Sequence, residues 1–103
     1  MAGLQELTDR IRQAAGSDAD LGASIKLDLK GEGFIHIERG GAVSNEDLPA
    51  DLVVRISARD LTAMGKRELD PMRAIMTGRM KLSDMGLAMR LQPAIQTLFS
   101  KAV

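Results

Sequence analysis

The sequence of 103 residues contains no cysteine, no tryptophan, no tyrosine, two phenylalanines and one histidine. Without cysteine the chain has neither a disulfide bond nor a thiolate, which fits a cytoplasmic protein. A metal site usually needs about three or four ligands, so one imidazole without a thiolate predicts no metal, and no other cofactor is expected. Few aromatic side chains, and basic runs no longer than Lys66-Arg67, argue against nucleic-acid binding.

The motifs of common enzyme classes are also absent. There is no Gly-x-Ser-x-Gly nucleophile elbow, and Gly31-x-Gly33 is followed by His36 where a dinucleotide fingerprint needs a third glycine. In the predicted strand His36 lies on the face opposite Ile35 and Ile37, so we expect it to face solvent rather than to act as a base or ligand. The sequence therefore predicts a protein that is not an enzyme.

The overall composition, 45% hydrophobic and 27% charged, is typical of one globular domain, which we expect to span residues 1–103. No run of about 18 apolar residues is present for a membrane span, and the N-terminus lacks an apolar run of signal-peptide length. Residues 1–52 carry 5 basic and 10 acidic side chains, whereas residues 53–103 carry 9 and 4. Two oppositely charged halves packed together explain this asymmetry, and a transient contact of the basic half with anionic lipid stays open.

Apolar spacing changes between helical and strand periods along the chain. Leu4, Leu7 and Ile11 recur at helical spacing, with Gly16 as the stop and a loop over residues 17–20. Alternation then predicts strands at residues 23–30, 34–38, 42–45, 51–57 and 79–83. Hairpin-linked strands followed by clustered helices indicate an α+β fold, in which an antiparallel sheet of about five strands is covered on one face by helices.

Three sequence signals mark the starts of the later helices. Ser57 and Asp60 have the Ser-x-x-Asp spacing of a helix cap. Asp70-Pro71 combines a capping side chain with a proline at the first helical position. A last helix is expected after Asp84, and Pro93 is expected to break or kink it.

Six of the seven methionines lie between residues 64 and 89. Five of these are expected to face the interior between sheet and helices, namely Met64, Met76, Met80, Met85 and Met89. Methionine is unbranched and polarizable, so such a set suits an adaptable lipid pocket, but it also suits an ordinary core. Met76 and Met80 should point into one space across the Gly78 turn, with Phe99 covering it. The predicted ligand-binding residues are Ile56, Met64, Met72, Ile75, Met76, Met80, Leu82, Met85, Met89, Ile95, Leu98 and Phe99.

A series of short motifs runs through residues 50–89 in a distinctive order. It comprises Asp51, Ser57, Asp60-Leu61, Gly65-Lys66, Leu69-Asp70-Pro71, Ala74, Met76, Gly78, Lys81 and Asp84. In order and spacing this stretch resembles the sterol-binding domain of sterol carrier protein type 2, and the remaining residues match it in element order. The sequence departs from the family at Ser83, where a glycine is usual, and at Pro93 in the last helix.

The resemblance implies an α+β domain whose sheet and helices enclose an apolar tunnel for fatty acids, fatty acyl-CoA, sterols or phospholipids. It also implies a domain without catalytic residues of its own. The predicted function is therefore that of an intracellular lipid-binding or lipid-transfer protein. The alternative is an interaction or accessory module of a lipid-metabolising enzyme whose tunnel is filled by its own side chains, and a homodimer stays open.

Overall fold

A computed structural model describes residues 3–15 and 22–101 of the chain. Within these ranges the elements are, in chain order, α1 (Leu4–Ala15), β1 (Ile25–Asp28), β2 (Phe34–Ile37), β3 (Val43–Ser44), β4 (Leu52–Ile56), α2 (Ala58–Gly65), α3 (Pro71–Met76), β5 (Met80–Leu82) and α4 (Met85–Lys101). The α+β class and the order of these elements agree with the sequence prediction. The predicted Gly16 stop and the loop at 17–20 lie outside the described residues.

The five strands form one sheet in the order β3-β2-β1-β4-β5. Three of the four pairings are antiparallel, but β1 and β4 run parallel, with Ile25 opposite Leu52. The sheet is therefore mixed, and the predicted purely antiparallel sheet is wrong. The chain leaves β3 through residues 45–51 and returns to the free edge of β1, a crossover that parallel pairing requires. Alternation of apolar residues does not reveal strand direction.

One face of the sheet is apolar and carries the core. Strand residues and the buried faces of α1, α2 and α4 belong to one cluster of buried side chains. Helix α4 packs against both α1 and α2. The largest fully buried side chain is Phe99, and the strands contribute Ile25, Leu27, Ile35, Ile37, Leu52, Val54 and Ile56.

The helix starts follow the capping signals. The Ser57 Oγ atom accepts a hydrogen bond from the Asp60 amide at 3.0 Å, and the Asp70 carboxylate accepts one from the Arg73 amide at 3.0 Å. Both predicted caps are confirmed, and each satisfies a backbone donor that the first helical turn leaves free. Helix α4 runs unbroken through the exposed Pro93, so the predicted break is wrong, whereas a kink at Pro93 stays a prediction. Helix α4 also buries residues on both sides of the proline, and this packing holds it together.

The second face of the sheet is partly covered by residues 45–51. The His36 Nε2 atom lies 3.0 Å from the Pro49 carbonyl oxygen, and the Lys26 ammonium donates to the Asp47 carboxylate at 2.6 Å. His36 is only 4% exposed, so its predicted solvent exposure is wrong. Alternation correctly places His36 opposite the core, but it does not show which other segment covers that face.

Replacing His36 with Ala should lower the free energy of unfolding by about 1–3 kcal/mol. The substitution removes a buried ring and leaves the Pro49 carbonyl without its partner. Urea unfolding followed by circular dichroism measures the change. Glu38→Ala is the control, because Glu38 is exposed just after the same strand and should change stability by less than about 0.5 kcal/mol. Equal stability of the two variants would mean that residues 45–51 do not hold His36 in place.

Candidate functional site: an apolar groove beside the β4–β5 edge

Apolar side chains of the sheet, α2, α3 and α4 surround a groove beside the β4–β5 edge. The groove encloses about 110 Å³ and is partly open to solvent. We call it the apolar groove, and its lining residues are Val54, Met64, Asp70, Pro71, Met72, Ile75, Met80, Leu82, Ala88, Met89, Gln92, Ile95 and Gln96.

The floor of the apolar groove comes from the sheet. Val54 on β4 lies directly opposite Leu82 on β5, and Met80 lies two residues before Leu82 on the same strand. Because side chains alternate along a strand, these three residues share the face that the helices cover. Val54 and Met80 are buried and Leu82 is half-buried, and the buried Met64 of α2 also lines the groove.

The walls of the apolar groove come from the two helices. Helix α3 contributes Met72 and Ile75 after its N-cap residue Asp70. Helix α4 contributes residues at positions 88, 89, 92, 95 and 96, a spacing that places them on one helical face. The groove therefore combines a rigid, mostly buried floor with walls that carry flexible side chains.

The methionines divide into buried and exposed groups. Met64 and Met80 are 2% and 6% exposed, whereas Met76 is 79% exposed and Met72, Met85 and Met89 range from 45% to 57%. The prediction that five methionines face the interior is therefore wrong for three of them, Met76, Met85 and Met89. Helix α3 buries Ala74 and directs Met72 and Met76, four positions apart, to the outside. Met76 therefore does not share an interior space with Met80.

The groove brings together only part of the predicted ligand-binding set. Seven predicted residues line it, namely Met64, Met72, Ile75, Met80, Leu82, Met89 and Ile95. Of the others, Met76 and Met85 are exposed outside it, whereas Ile56, Leu98 and Phe99 are buried in the core. Phe99 therefore does not cover the groove. The role of the seven in ligand binding stays a prediction.

Sequence reasoning missed the polar part of the lining. Asp70, Gln92 and Gln96 line the groove, together with Val54, Pro71 and Ala88. The helical spacing of Ala88, Gln92 and Gln96 indicates that these three residues share one face of α4. The predicted ligand-binding set omitted them because it contained only large apolar side chains. None of the lining side chains is basic, and none is a serine, threonine or histidine. Within the described part of the chain, the groove lining therefore offers no pair of nucleophile and base.

The described part of the chain contains neither a cluster of metal ligands nor a membrane-spanning helix. Among residues 3–15 and 22–101, no group of three or more histidine and carboxylate side chains is placed to hold a metal ion. Over the same ranges, no helix is both long enough and apolar enough to cross a membrane.

Comparison with known proteins identifies a matching family and solved structures of similar fold. The model of the SCP-2 sterol transfer family matches residues 4–96. The fold is similar to the crystal structure of sterol carrier protein 2 like 2 from Aedes aegypti, with 19% identity, a TM-score of 0.72 and coverage of 85% of this chain and 92% of that chain. It is also similar to the solution structure of palmitated SCP2L2 from the same organism, with 20% identity, a TM-score of 0.67 and coverage of 91% and 95%.

A more distant similarity is to UbiJ-SCP2, described as a ubiquinone synthesis protein. The two chains share 18% identity and a TM-score of 0.55, over 88% of this chain and 76% of that one. At these identities the structural similarities establish the fold alone. Curated protein sequences give no significant match.

Proposed function

Since this chain belongs to the SCP-2 sterol transfer family, as its resemblance over residues 50–89 predicted, we propose that it is a non-enzymatic lipid-binding or lipid-transfer protein. The ligands proposed are fatty acids, fatty acyl-CoA, sterols or phospholipids. The observation that carries the proposal is the apolar groove, whose lining is apolar except for three side chains and contains no nucleophile and base pair. A lipid chain gains from leaving water for such a lining.

Binding a lipid requires the groove to enlarge. Its volume of about 110 Å³ is small beside typical ligand pockets of roughly 300–1,000 Å³. Met72 and Met89 are about half exposed at its mouth, and Met80 lies on its floor. A methionine side chain has three rotatable bonds, so rotamer changes of these side chains widen the groove while the sheet stays in place.

We further propose that lipid exchange uses a transient contact between the groove mouth and a membrane surface. Four methionines are exposed on α3 and α4, the two helices that form the groove walls. From residue 71 to residue 91 the exposed charged side chains are Arg73, Arg79, Lys81, Arg90 and one acid, Asp84. Exposed apolar side chains with an excess of cations suit a surface of anionic lipid.

The alternative function is that of an accessory module of a lipid-metabolising enzyme. The small size of the groove favours it, because side chains that already fill the interior leave little room for a lipid. The similarity to a ubiquinone synthesis protein is compatible with such a role but shows the fold alone. In this alternative the purified protein carries no lipid, and its exposed methionines contact a partner protein instead.

Native mass spectrometry of the purified protein tests the proposed function. We expect an added mass that matches a lipid, and binding of a fluorescent fatty acid at micromolar concentration. We also expect faster transfer of that fatty acid to vesicles containing anionic lipid than to neutral vesicles, because the exposed charged side chains of residues 71–91 are mostly cationic. A clean mass of the protein alone together with no binding would contradict lipid carriage. Equal transfer to both kinds of vesicle would contradict the membrane contact only.

A further inference from the structure

Methionine supplies all of the sulfur in this protein, because the sequence contains seven methionines and no cysteine. Peroxides oxidise the sulfur side chains of proteins, cysteine through its thiolate and methionine through its thioether. A peroxide that reaches this protein therefore meets methionine as its sulfur target. The position of each methionine then decides what its oxidation does.

Access to solvent divides the methionines of residues 3–15 and 22–101. Two are buried, Met64 and Met80, and four are exposed on α3 and α4, namely Met72, Met76, Met85 and Met89. Oxidation follows exposure. We therefore expect the four exposed thioethers to react before the two buried ones.

The four exposed methionines differ in whether they line the apolar groove. Met72 of α3 and Met89 of α4 line it from its two walls, whereas Met76 of α3 and Met85 of α4 do not. Each pair has one member on each helix, and all four side chains are exposed. The protein thus contains two comparable pairs of oxidisable side chains, one in the groove and one outside it.

The oxidation step needs a peroxide and no further reactant. The thioether sulfur attacks one oxygen of hydrogen peroxide, the O–O bond breaks and an S–O bond forms. The other oxygen leaves as water after a proton transfer, so the sulfur is oxidised and the peroxide is reduced. The product, methionine sulfoxide, is polar where the thioether was apolar.

Oxidation leaves the charges around the groove unchanged, because the sulfoxide is neutral. The exposed charged side chains of residues 71–91 are Arg73, Arg79, Lys81, Arg90 and Asp84. Their attraction for anionic lipid stays the same, and only the polarity of the lining changes.

The groove lining has few hydrogen-bond donors for a sulfoxide oxygen. Among the lining side chains, only Gln92 and Gln96 carry N–H groups. The Gln96 amide nitrogen already donates to the Met64 carbonyl at 3.3 Å and to the Ser100 hydroxyl at 3.1 Å. The Gln92 amide is therefore the side-chain donor that the lining has left to offer.

We propose that Met72 and Met89 are reversible oxidation sites whose sulfoxides close the apolar groove to lipid. The inference rests on the proposed lipid-binding function and adds a regulation to it. A lipid chain that enters the oxidised groove takes water from both sulfoxide oxygens, and the lining returns few hydrogen bonds, so binding becomes less favourable. Methionine sulfoxide reductases restore the thioether: the oxygen leaves as water, and two thiols of the reductant form a disulfide.

Limited oxidation with hydrogen peroxide tests which methionines react. Peptide mass spectrometry follows the gain of one oxygen at each methionine. We expect the four exposed methionines to react at least about fivefold faster than Met64 and Met80. A bound fatty acid should slow the reaction of Met72 and Met89 by at least about threefold and leave the pair outside the groove unchanged, because it covers the groove alone.

Binding of a fluorescent fatty acid tests the effect on the groove. Affinity is measured before oxidation, after oxidation with the peroxide removed by catalase, and after repair by both sulfoxide reductases with dithiothreitol. We expect affinity to fall by about tenfold on oxidation and to recover on repair. The melting temperature of the oxidised protein should change by less than about 4 °C, because exposed side chains contribute little to stability.

The Met72→Leu/Met89→Leu variant removes both proposed sites, because leucine is apolar, similar in volume and free of sulfur. It should bind within about twofold of the wild type both before and after peroxide treatment. Met76→Leu/Met85→Leu is the matched control, with the same substitutions on the same helices outside the groove. This control should lose affinity on oxidation as the wild type does.

A polar substitution tests the groove without any peroxide. Met72→Gln/Met89→Gln places a polar group where the sulfoxides would be, and it should bind the fatty acid about tenfold more weakly than Met76→Gln/Met85→Gln. Equal affinity of these two variants would contradict the proposed closure.

The outcomes separate the inference from the proposed function. Wild-type protein that keeps its affinity although Met72 and Met89 carry oxygen would overturn the inference and leave lipid binding intact. An equal loss in oxidised Met72→Leu/Met89→Leu would also overturn it, because the loss would then come from another site. If the unoxidised wild type binds no lipid, the proposed function is wrong and the inference falls with it.

Discussion

Replacing Met80 with Trp is expected to lower lipid affinity by at least about tenfold while the protein keeps its fold. Met80 is 6% exposed and its side chain lies on the floor of the apolar groove. The larger indole ring can extend into the open space of about 110 Å³, where it occupies the path of a lipid chain. The melting temperature should therefore fall by only a few degrees. Fluorescent fatty-acid binding and thermal melting are measured on the same preparation.

Ile56→Trp is the matched control for Met80→Trp. Ile56 lies directly opposite Met80 in the β4–β5 ladder, is fully buried and does not line the groove. A tryptophan at this position overpacks the core and should cost about 1–3 kcal/mol. In a domain of this size that corresponds to a lower melting temperature by about 4–8 °C per kcal/mol.

The comparison of these two variants decides between the two proposed functions. Stable Met80→Trp protein that no longer binds lipid supports the lipid carrier. If Met80→Trp destabilises the protein as strongly as Ile56→Trp, the groove is packed core in solution. The accessory module would then be the better interpretation of the same fold.

Local signals in the sequence predicted most of the elements. The caps at Ser57 and Asp70 and the alternation of the strands are decided by neighbouring residues, and the structure contains them. The parallel pairing of β1 with β4 depends on where residues 45–51 carry the chain, which no local pattern encodes. The burial of His36 has the same origin, because residues 45–51 provide its cover.

The groove was predictable where the strands form it and less so where the helices do. Met80 and Leu82 follow from alternation on β5, which has one covered face. Helix α3 has only six residues, so its sequence does not show which side faces the sheet, and Met76 was assigned to the interior wrongly. The apolar residues of α4 serve both the core and the groove, and spacing alone does not separate Phe99 from Ile95.

Replacing Phe99 with Ala is expected to lower the free energy of unfolding by about 3–5 kcal/mol, a large share of the roughly 5–15 kcal/mol typical of a whole domain. Phe99 is 1% exposed and is the largest fully buried side chain. It belongs to the core cluster and does not line the groove. Urea unfolding measures the loss of stability. Lipid affinity, measured below the transition and corrected for the folded fraction, should stay within about twofold, since the lining is unchanged.

Met76→Ala is the control for Phe99→Ala, because the sequence placed both residues in the ligand-binding set. Met76 is 79% exposed and lies outside the groove, so its loss should change stability by less than about 0.5 kcal/mol. A Phe99→Ala protein that stays stable but loses lipid affinity would mean that Phe99 covers the ligand, as its helical spacing alone predicted. In the lipid-bound protein the groove would then extend beneath α4. The core of that form would be smaller than the cluster of buried side chains that contains Phe99.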